Sequence, residues 1–204
     1  MIIIVDYGVG NLGSILNMFK KIGVNARISS NIQDIEEAKK IILPGVGAFD
    51  NAMENLKNLG MIPILNKKVI KNKTPILGIC LGMQLLTKGS EEGSLEGLGW
   101  IDAETVRFRL GDNRSLKIPH MGWNTIDIRK ESCLYGDMYE EPRFYFVHSY
   151  YVKCNNPENS LTTTNHGIEF CSSVMEDNIL GVQFHPEKSH KFGMKLLKNF
   201  AELC

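Results

Sequence analysis

The chain has 204 residues, within the range of one large domain that buries its apolar surface in a single core. Lys plus Arg and Asp plus Glu number 23 each, so no net field draws it toward nucleic acid or an anionic membrane. With 43% hydrophobic and 23% charged residues and no biased tract, disorder is excluded too, and no window reaches the roughly 20 apolar residues of a membrane span.

Met1 to Val5 is apolar but short and runs into Asp6 with no basic segment before it, so it reads as a strand and not a signal peptide. A glycine-rich turn, Gly8 to Gly13, leads to a helix over Ser14 to Ile22, where Ile15, Leu16, Met18 and Phe19 have helical spacing. Val24 to Ile28 then reads as a strand, Ile32 to Lys40 as a polar helix, and Lys40 to Leu43 as a strand ending at Pro44-Gly45. Helices follow near Phe49 to Leu59 and Ile62 to Asn72. The strand Pro75 to Ile79 then meets Cys80, and Met83 to Thr87 opens a helix. This alternation predicts an α/β fold, a mostly parallel central sheet flanked by helices.

From about Gly99 the pattern changes to short β-rich stretches: Ile101 to Leu110, Trp123 to Ile128, Arg143 to Lys153, Leu161 to Asn165, Ile168 to Val174 and Ile179 to Phe184. These are expected to add antiparallel strands to the sheet, and the amphipathic helix Phe192 to Glu202 packs back on the core. No linker or repeat divides residues 1–204, so one domain is expected. The cysteines at 80, 133, 154, 171 and 204 are odd in number and lack C-x-x-C pairs. That pattern predicts reduced thiols in the cytoplasm and no metal site.

Gly8-Val9-Gly10-Asn11-Leu12-Gly13 satisfies the dinucleotide fingerprint G-x-G-x-x-G. The acid that should follow the second strand is missing, since Ile28-Ser29-Ser30-Asn31 comes first and Asp34 lies in the next helix. A tight strand-to-helix turn is the better reading, with a nucleotide-binding protein as the competing one.

Gly78-Ile79-Cys80-Leu81-Gly82 has the form of a nucleophile elbow with sulfur in place of oxygen. Glycines on both sides remove the Cβ atoms that a sharp turn would crowd, and the following helix start favours the thiolate. The other four cysteines read as small buried hydrophobes. A cysteine nucleophile needs a base. His185 follows an apolar strand in Gln183-Phe184-His185-Pro186-Glu187, and residues two apart in an extended segment share a side, so Glu187 can orient the ring. His120, His166 and His190 take the structural default. Oxyanion donors are available from the Leu81 amide and from Pro44-Gly45-Val46-Gly47, whose glycines permit unusual peptide orientations.

Taken together, Leu43-Pro44-Gly45-Val46-Gly47, Gly78-Ile79-Cys80-Leu81-Gly82-Met83-Gln84 and His185-Pro186-Glu187 resemble class I (triad) glutamine amidotransferases. More narrowly, Asp6-Tyr7-Gly8-Val9-Gly10-Asn11-Leu12, Pro119-His120-Met121-Gly122-Trp123-Asn124 and Tyr145-Phe146-Val147-His148-Ser149-Tyr150 look like the glutaminase subunits of imidazole glycerol phosphate synthases. The resemblance covers essentially the whole chain and implies the flavodoxin-like fold of that class.

It implies that Cys80 attacks the amide of L-glutamine, that His185 shuttles the proton and that Glu187 orients it. Val46, Gly47 and Leu81 would form the oxyanion hole, with the Val46 peptide reorienting to complete it. Gly45, Gln84, Glu92 and the Ser149-Tyr150 main chain would hold substrate. Glu92, with Glu91 beside it, reads equally as a solvated loop carboxylate. The chain has no room for a synthetase, so the ammonia is expected to pass to a (β/α)8-barrel cyclase partner in a heterodimer, with no cofactor. Asn11, Trp123, Tyr145 and Lys188 match interface positions, although Trp123 and Tyr145 read as evenly as core aromatics. The alternative within the resemblance is a synthase that amidinates sugars of surface polysaccharides.

Overall fold

The computed structural model describes residues 1–111 and 116–204. The first half runs β1 (Ile2–Val5), α1 (Leu12–Lys21), β2 (Ala26–Ser29), α2 (Ile32–Glu37), β3 (Lys40–Gly45), α3 (Phe49–Asn58), α4 (Met61–Asn66), β4 (Ile76–Cys80) and α5 (Leu81–Leu85). Strands dominate the rest: β5 (Ala103–Arg107), β6 (His120–Thr125), β7 (Asp127–Ile128), β8 (Arg143–His148), β9 (Tyr150–Cys154), β10 (Ser160–Asn165), β11 (Glu169–Glu176) and β12 (Ile179–Val182). The helix α6 (His190–Leu203) ends the chain.

Why β1, β3, β4 and β12 are continuous apolar runs follows from their place at the centre of the sheet, where both faces are covered. Ile3 and Val5 point into a core with Met53, Leu56, Met61 and Leu65 of α3 and α4. Ile2 and Ile4 point the opposite way, toward Ile15 and Phe19 of α1 and Leu196, Leu197 and Phe200 of α6. Each such side chain contributes about 1.5–3 kcal/mol by leaving water. At the end of α6, the Lys40 ammonium donates to the carbonyls of Phe200 at 2.9 Å and Ala201 at 2.8 Å, satisfying acceptors the helix leaves open.

Three expectations need correction. The last β segment is not antiparallel to its inner neighbour: β12 pairs parallel with β4, Val182 opposite Ile79, and pairs antiparallel only with β11. The hydrophobic run Ile179–Val182 is as apolar as the first-half strands, and that is the signature of a two-sided interior position. Likewise β6 and β8 do not join the main sheet but form a separate two-stranded ribbon, His120 opposite His148. In addition, the segment 62–72 is not one α-helix, because α4 gives way to a π-helical turn at Lys67–Lys71.

The cysteines hold a further correction. Cys133 and Cys204 form a disulfide, bringing the last residue against the short 3₁₀ turn Cys133–Tyr135. Their 71-residue separation hides the pairing in the sequence, whereas Asn199, one helical face away, shows the docking by donating to the carbonyls of Leu134 and Gly136. Cys80, Cys154 and Cys171 are free.

Three strands converge where β4 turns into α5. Gly45 of β3 pairs with Cys80, and the packing there leaves no room for side chains. A Cβ at Gly82 would lie 1.8 Å from the Leu43 carbonyl oxygen, and one at Gly78 would lie 2.7 Å from the Gly82 oxygen. Both obstacles are backbone, which cannot swing aside. Gly82→Ala is therefore expected to cost about 3 kcal/mol or more of stability by overpacking, read as a lower denaturant midpoint. A midpoint equal to that of the parent protein would disprove the close approach.

Candidate active site

Cys80 occupies a backbone conformation that non-glycine residues rarely adopt, φ +55° and ψ −111°. Such strain costs about 1–3 kcal/mol and persists only where the surroundings dictate it. Here the paired strands β3 and β12 hold β4 from both sides, and the turn lifts the sulfur to the edge of the sheet. The amides of Leu81 and Gly82 begin α5 and have no intrahelical acceptor, so they are donors at the sulfur's side. Beside them the β3 turn reaches the surface, with Val46 44% exposed and Gly47 at φ +102°. Tyr7, fully buried, donates its hydroxyl to the Pro44 carbonyl at 2.5 Å. Burial, together with the charge of Cys80, pushes the Tyr7 phenol well above its ordinary pKa, so it stays a neutral donor.

His185 reaches the same place by backbone anchoring. Its N–H donates to the Tyr145 carbonyl at 2.9 Å, and the Ser189 hydroxyl donates to the His185 carbonyl at 2.6 Å. Phe184 stacks on Phe144 of β8 at 3.9 Å. Glu187 then comes back to the ring through a tight 3₁₀ turn, Pro186–Lys188, and not through the extended geometry that the spacing suggests. Proline fits the first position of that turn, where no amide is needed. The buried pair closes at 2.8 Å between His185 Nδ1 and Glu187 Oε1. Burial alone would lower the imidazole's pKa, but the Cys80 sulfur and the Glu187 carboxylate outweigh it and raise the value to about 10. His185 Nε2, the ring nitrogen away from Glu187, has no hydrogen-bond partner among the described residues.

A cavity of about 360 Å³ brings Cys80 and His185 together with Val46, Gly47 and Leu81. Gln84, Glu92, Ser149 and Tyr150 line its other side. Gly45 sits beneath, buried between Tyr7 and α5. Both amide hydrogens of Gln84 are committed, to the Tyr150 carbonyl at 3.2 Å and to Gln183 Oε1 at 3.1 Å. Gln183 in turn points its amide at Cys80 Sγ, 3.8 Å away. Glu92 is no free loop carboxylate: it accepts the Phe49 amide at the start of α3 at 3.0 Å. Asp50 answers by accepting the amides of Ser94 and Leu95, which fastens the 90–95 loop to the helix. Glu91 takes the other role, paired with Arg109 outside the cavity.

Pro119, Val147 and His148 also line the cavity, and Gln183 and Tyr7 support it; all five lie within the motifs quoted above, which gave them no role at the site. His120 and His148 are neutral and buried, pushed down to about 4 and about 3, chiefly by desolvation. On the outer surface, Trp123 is 45% exposed and Tyr145 half-buried. Their rings meet edge-on at 6.4 Å, and the Lys188 ammonium sits 5.5 Å from the Tyr145 ring centre. Neither aromatic is a core residue. Asn11 is exposed at the start of α1. The glycine turn before it has a packing role, because a Cβ at Gly10 would press on the Pro44 ring at 3.2 Å.

This architecture is the amidotransferase α/β fold. A crystal structure described as a glutamine amidotransferase superposes with a TM-score of 0.72 at 18% identity, covering 98% of this chain and 97% of that one. A glutamine amidotransferase from Thermotoga maritima gives 0.65 at 18% identity, with 91% and 75% covered. The family model for glutamine amidotransferase class-I matches residues 3–203, and the chain belongs to that family. Among its relatives is the imidazole glycerol phosphate synthase subunit HisH 2 of Methanococcus maripaludis, 60% identical over 98% of both chains. The proteins of the same description from Pseudomonas aeruginosa (HisH 2) and Bdellovibrio bacteriovorus (HisH) are 50% and 47% identical over the full length of each chain.

Because the folded His185 pKa lies above the ordinary value of about 6.5, stability from its charged form is complete below about pH 6.5. It is lost as pH rises through about 10. Glu187→Gln is expected to bring the His185 titration, followed by NMR, down toward the ordinary value. An unchanged midpoint would show that the carboxylate does not hold the charge.

Proposed function

We infer that this chain is the glutaminase subunit of an imidazole glycerol phosphate synthase, releasing ammonia from L-glutamine for a cyclase partner in histidine biosynthesis. The observation that carries the reading is one cavity that gathers Cys80 at a strained elbow, the His185–Glu187 pair and two sets of main-chain donors. Full-length relatives described as HisH subunits support the choice of synthase.

The chemistry follows from the placement. The Cys80 thiolate adds to the glutamine carboxamide carbon, and the carbonyl electrons move onto oxygen. The amides of Leu81 and of the Val46–Gly47 turn stabilise that charge, a contribution of about 3–4 kcal/mol per donor in comparable sites. As the C–N bond breaks, His185 gives its Nε2 proton to the leaving nitrogen, so ammonia and a thioester result. A water molecule then attacks the thioester, His185 takes its proton, and glutamate leaves as the thiolate reforms. Glu187 keeps Nδ1 protonated throughout. Gly45, Gln84, Glu92 and the Ser149–Tyr150 main chain hold the amino-acid end of the substrate in this reading.

Every step uses groups of this chain, and the reading calls for no cofactor. Ammonia passes to a (β/α)8-barrel partner across the face that holds Asn11, Trp123, Tyr145 and Lys188, in a cytoplasmic heterodimer. Cys80→Ser is expected to lower glutamate release by more than about 10³-fold with an unchanged melting temperature, the loss typical of a removed nucleophile. Retained turnover in an enzyme-coupled glutamate assay would refute the role of the sulfur. The glutaminase on its own is expected to turn over slowly and to accelerate by about 10²-fold or more when partner and its substrate are added, since the oxyanion donors must be oriented. Equal rates with and without partner would refute that dependence.

A further inference from the structure

Three histidines lie together between the glutamine cavity and the exposed ribbon, outside the reacting groups. His120 and His148 face each other across β6 and β8, and the His166 ring stacks on His120 at 4.1 Å. The hydrogen bonds that join them admit a single direction. The Tyr150 carbonyl can only accept, so His148 Nδ1, 2.7 Å away, must carry the hydrogen. His148 is neutral, so its Nε2 is a bare acceptor, and His120 Nδ1 at 3.0 Å must be the donor. His120 Nε2 is then bare as well and accepts from Asn124 Nδ2 at 3.2 Å.

The far end fixes the same sense independently. Asn124 Nδ2 also donates to the Asn165 carbonyl at 2.9 Å, and its Oδ1 accepts the Thr125 amide at 2.9 Å, so the side-chain amide cannot be reversed. The relay thus runs Asn124, His120, His148, Tyr150 carbonyl, each donor and acceptor assigned from both ends. At its inner end the Tyr150 carbonyl also receives the Gln84 amide, and Gln84 and Tyr150 both line the cavity. The Ser149 carbonyl next to it is taken by the Phe108 amide at 3.1 Å. The carbonyls of this stretch of cavity wall are therefore tied off from the protein side.

We propose that His148 and His120 are positioning residues for glutamine binding: through this one-way relay they fix the Tyr150 peptide and, by way of the shared carbonyl, the Gln84 side chain. The proposal rests on the glutaminase reading. It gives a reason for two buried imidazoles in a place where aromatic hydrocarbons would pack as well, amid Phe108, Phe146 and Phe170. A ring without nitrogens would leave the Tyr150 peptide held from one side only.

The relay is tested in two arms. The first uses the complex of this chain with its cyclase partner, saturated with the partner's substrate. There, His148→Phe is expected to raise the KM for glutamine about tenfold while kcat stays within about threefold, as befits loss of a hydrogen bond in the binding wall. His148→Asn, whose amide can donate from the Nδ1 position, is expected to recover most of the loss. An unchanged KM in His148→Phe, or no recovery in His148→Asn, overturns the proposal. In the second arm, long-range proton–nitrogen NMR of the isolated chain reads the tautomers, which are expected to be Nδ1–H for both His120 and His148. Asn124→Asp, a change of one half-buried amide, presents a carboxylate to His120 and is expected to add a hydrogen at Nε2 while Nδ1 keeps its own, giving a charged ring. An Nε2–H tautomer in the parent protein, or an Asn124→Asp variant in which His120 Nε2 stays bare or Nδ1 loses its hydrogen, overturns the relay even where His148→Phe does not fold. A parent complex that releases no glutamate would refute the glutaminase reading itself, and the tautomers would still decide the relay.

Discussion

Parallel pairing of β4 with β3 on one side and β12 on the other sets Cys80 level with Gly45 and delivers the segment after Val182 to the same edge. Three chain segments separated by dozens of residues thereby present a sulfur, a glycine-rich turn and an imidazole at one sheet end. Open α/β sheets place their sites there because the carboxyl ends of parallel strands leave a crevice that loops can furnish. The strained backbone of Cys80 is tolerable only within this arrangement, where Gly78 and Gly82 let the turn fold against Leu43 without a clash.

Histidine serves two opposite purposes a short distance apart, and the surroundings decide which. His185 has a carboxylate on one nitrogen and a sulfur nearby, so it keeps a proton well above neutral pH. His120 and His148 are buried against phenyl rings and against each other, with only neutral partners, and stay uncharged. A second positive ring beside His185 would compete for the same negative charge. Keeping the neighbouring pair neutral leaves the sulfur and the carboxylate to a single cation.

Much of this could be read from the residues. The alternation of apolar strands and amphipathic helices gave away the parallel sheet, because a buried strand has no choice but to be apolar on both sides. Cys80 was legible because flanking glycines have a steric meaning, and His185 because a strand, a proline and an acid stand together. What escaped depended on distance along the chain. Nothing local shows that Cys133 meets Cys204, that β12 returns beside β4, or that His120 faces His148, since each is fixed by which strands pair. Trp123 and Tyr145 illustrate the same limit: an aromatic in a β stretch belongs to the core or to a surface depending on a ribbon that the sequence does not announce.

That ribbon ties the surface to the site. Val46 and Pro119 share the cavity rim, and Val46 is exposed along with Ile118, Met121 and Trp123, all apolar. A run of exposed apolar side chains of this kind is costly in water and is normally covered by a partner. Here a covering surface would touch two rim segments at once, the Val46–Gly47 turn and the start of β6 with His120. A partner can alter chemistry only by binding one arrangement of the site better than another. Gly47 supplies a turn able to rotate, whereas Tyr7 pins the Pro44 carbonyl just before it. Under the proposed function, a reorienting peptide there would lie among residues a partner could reach, while Cys80, His185 and the Gln84–Tyr150 wall are held by the sheet.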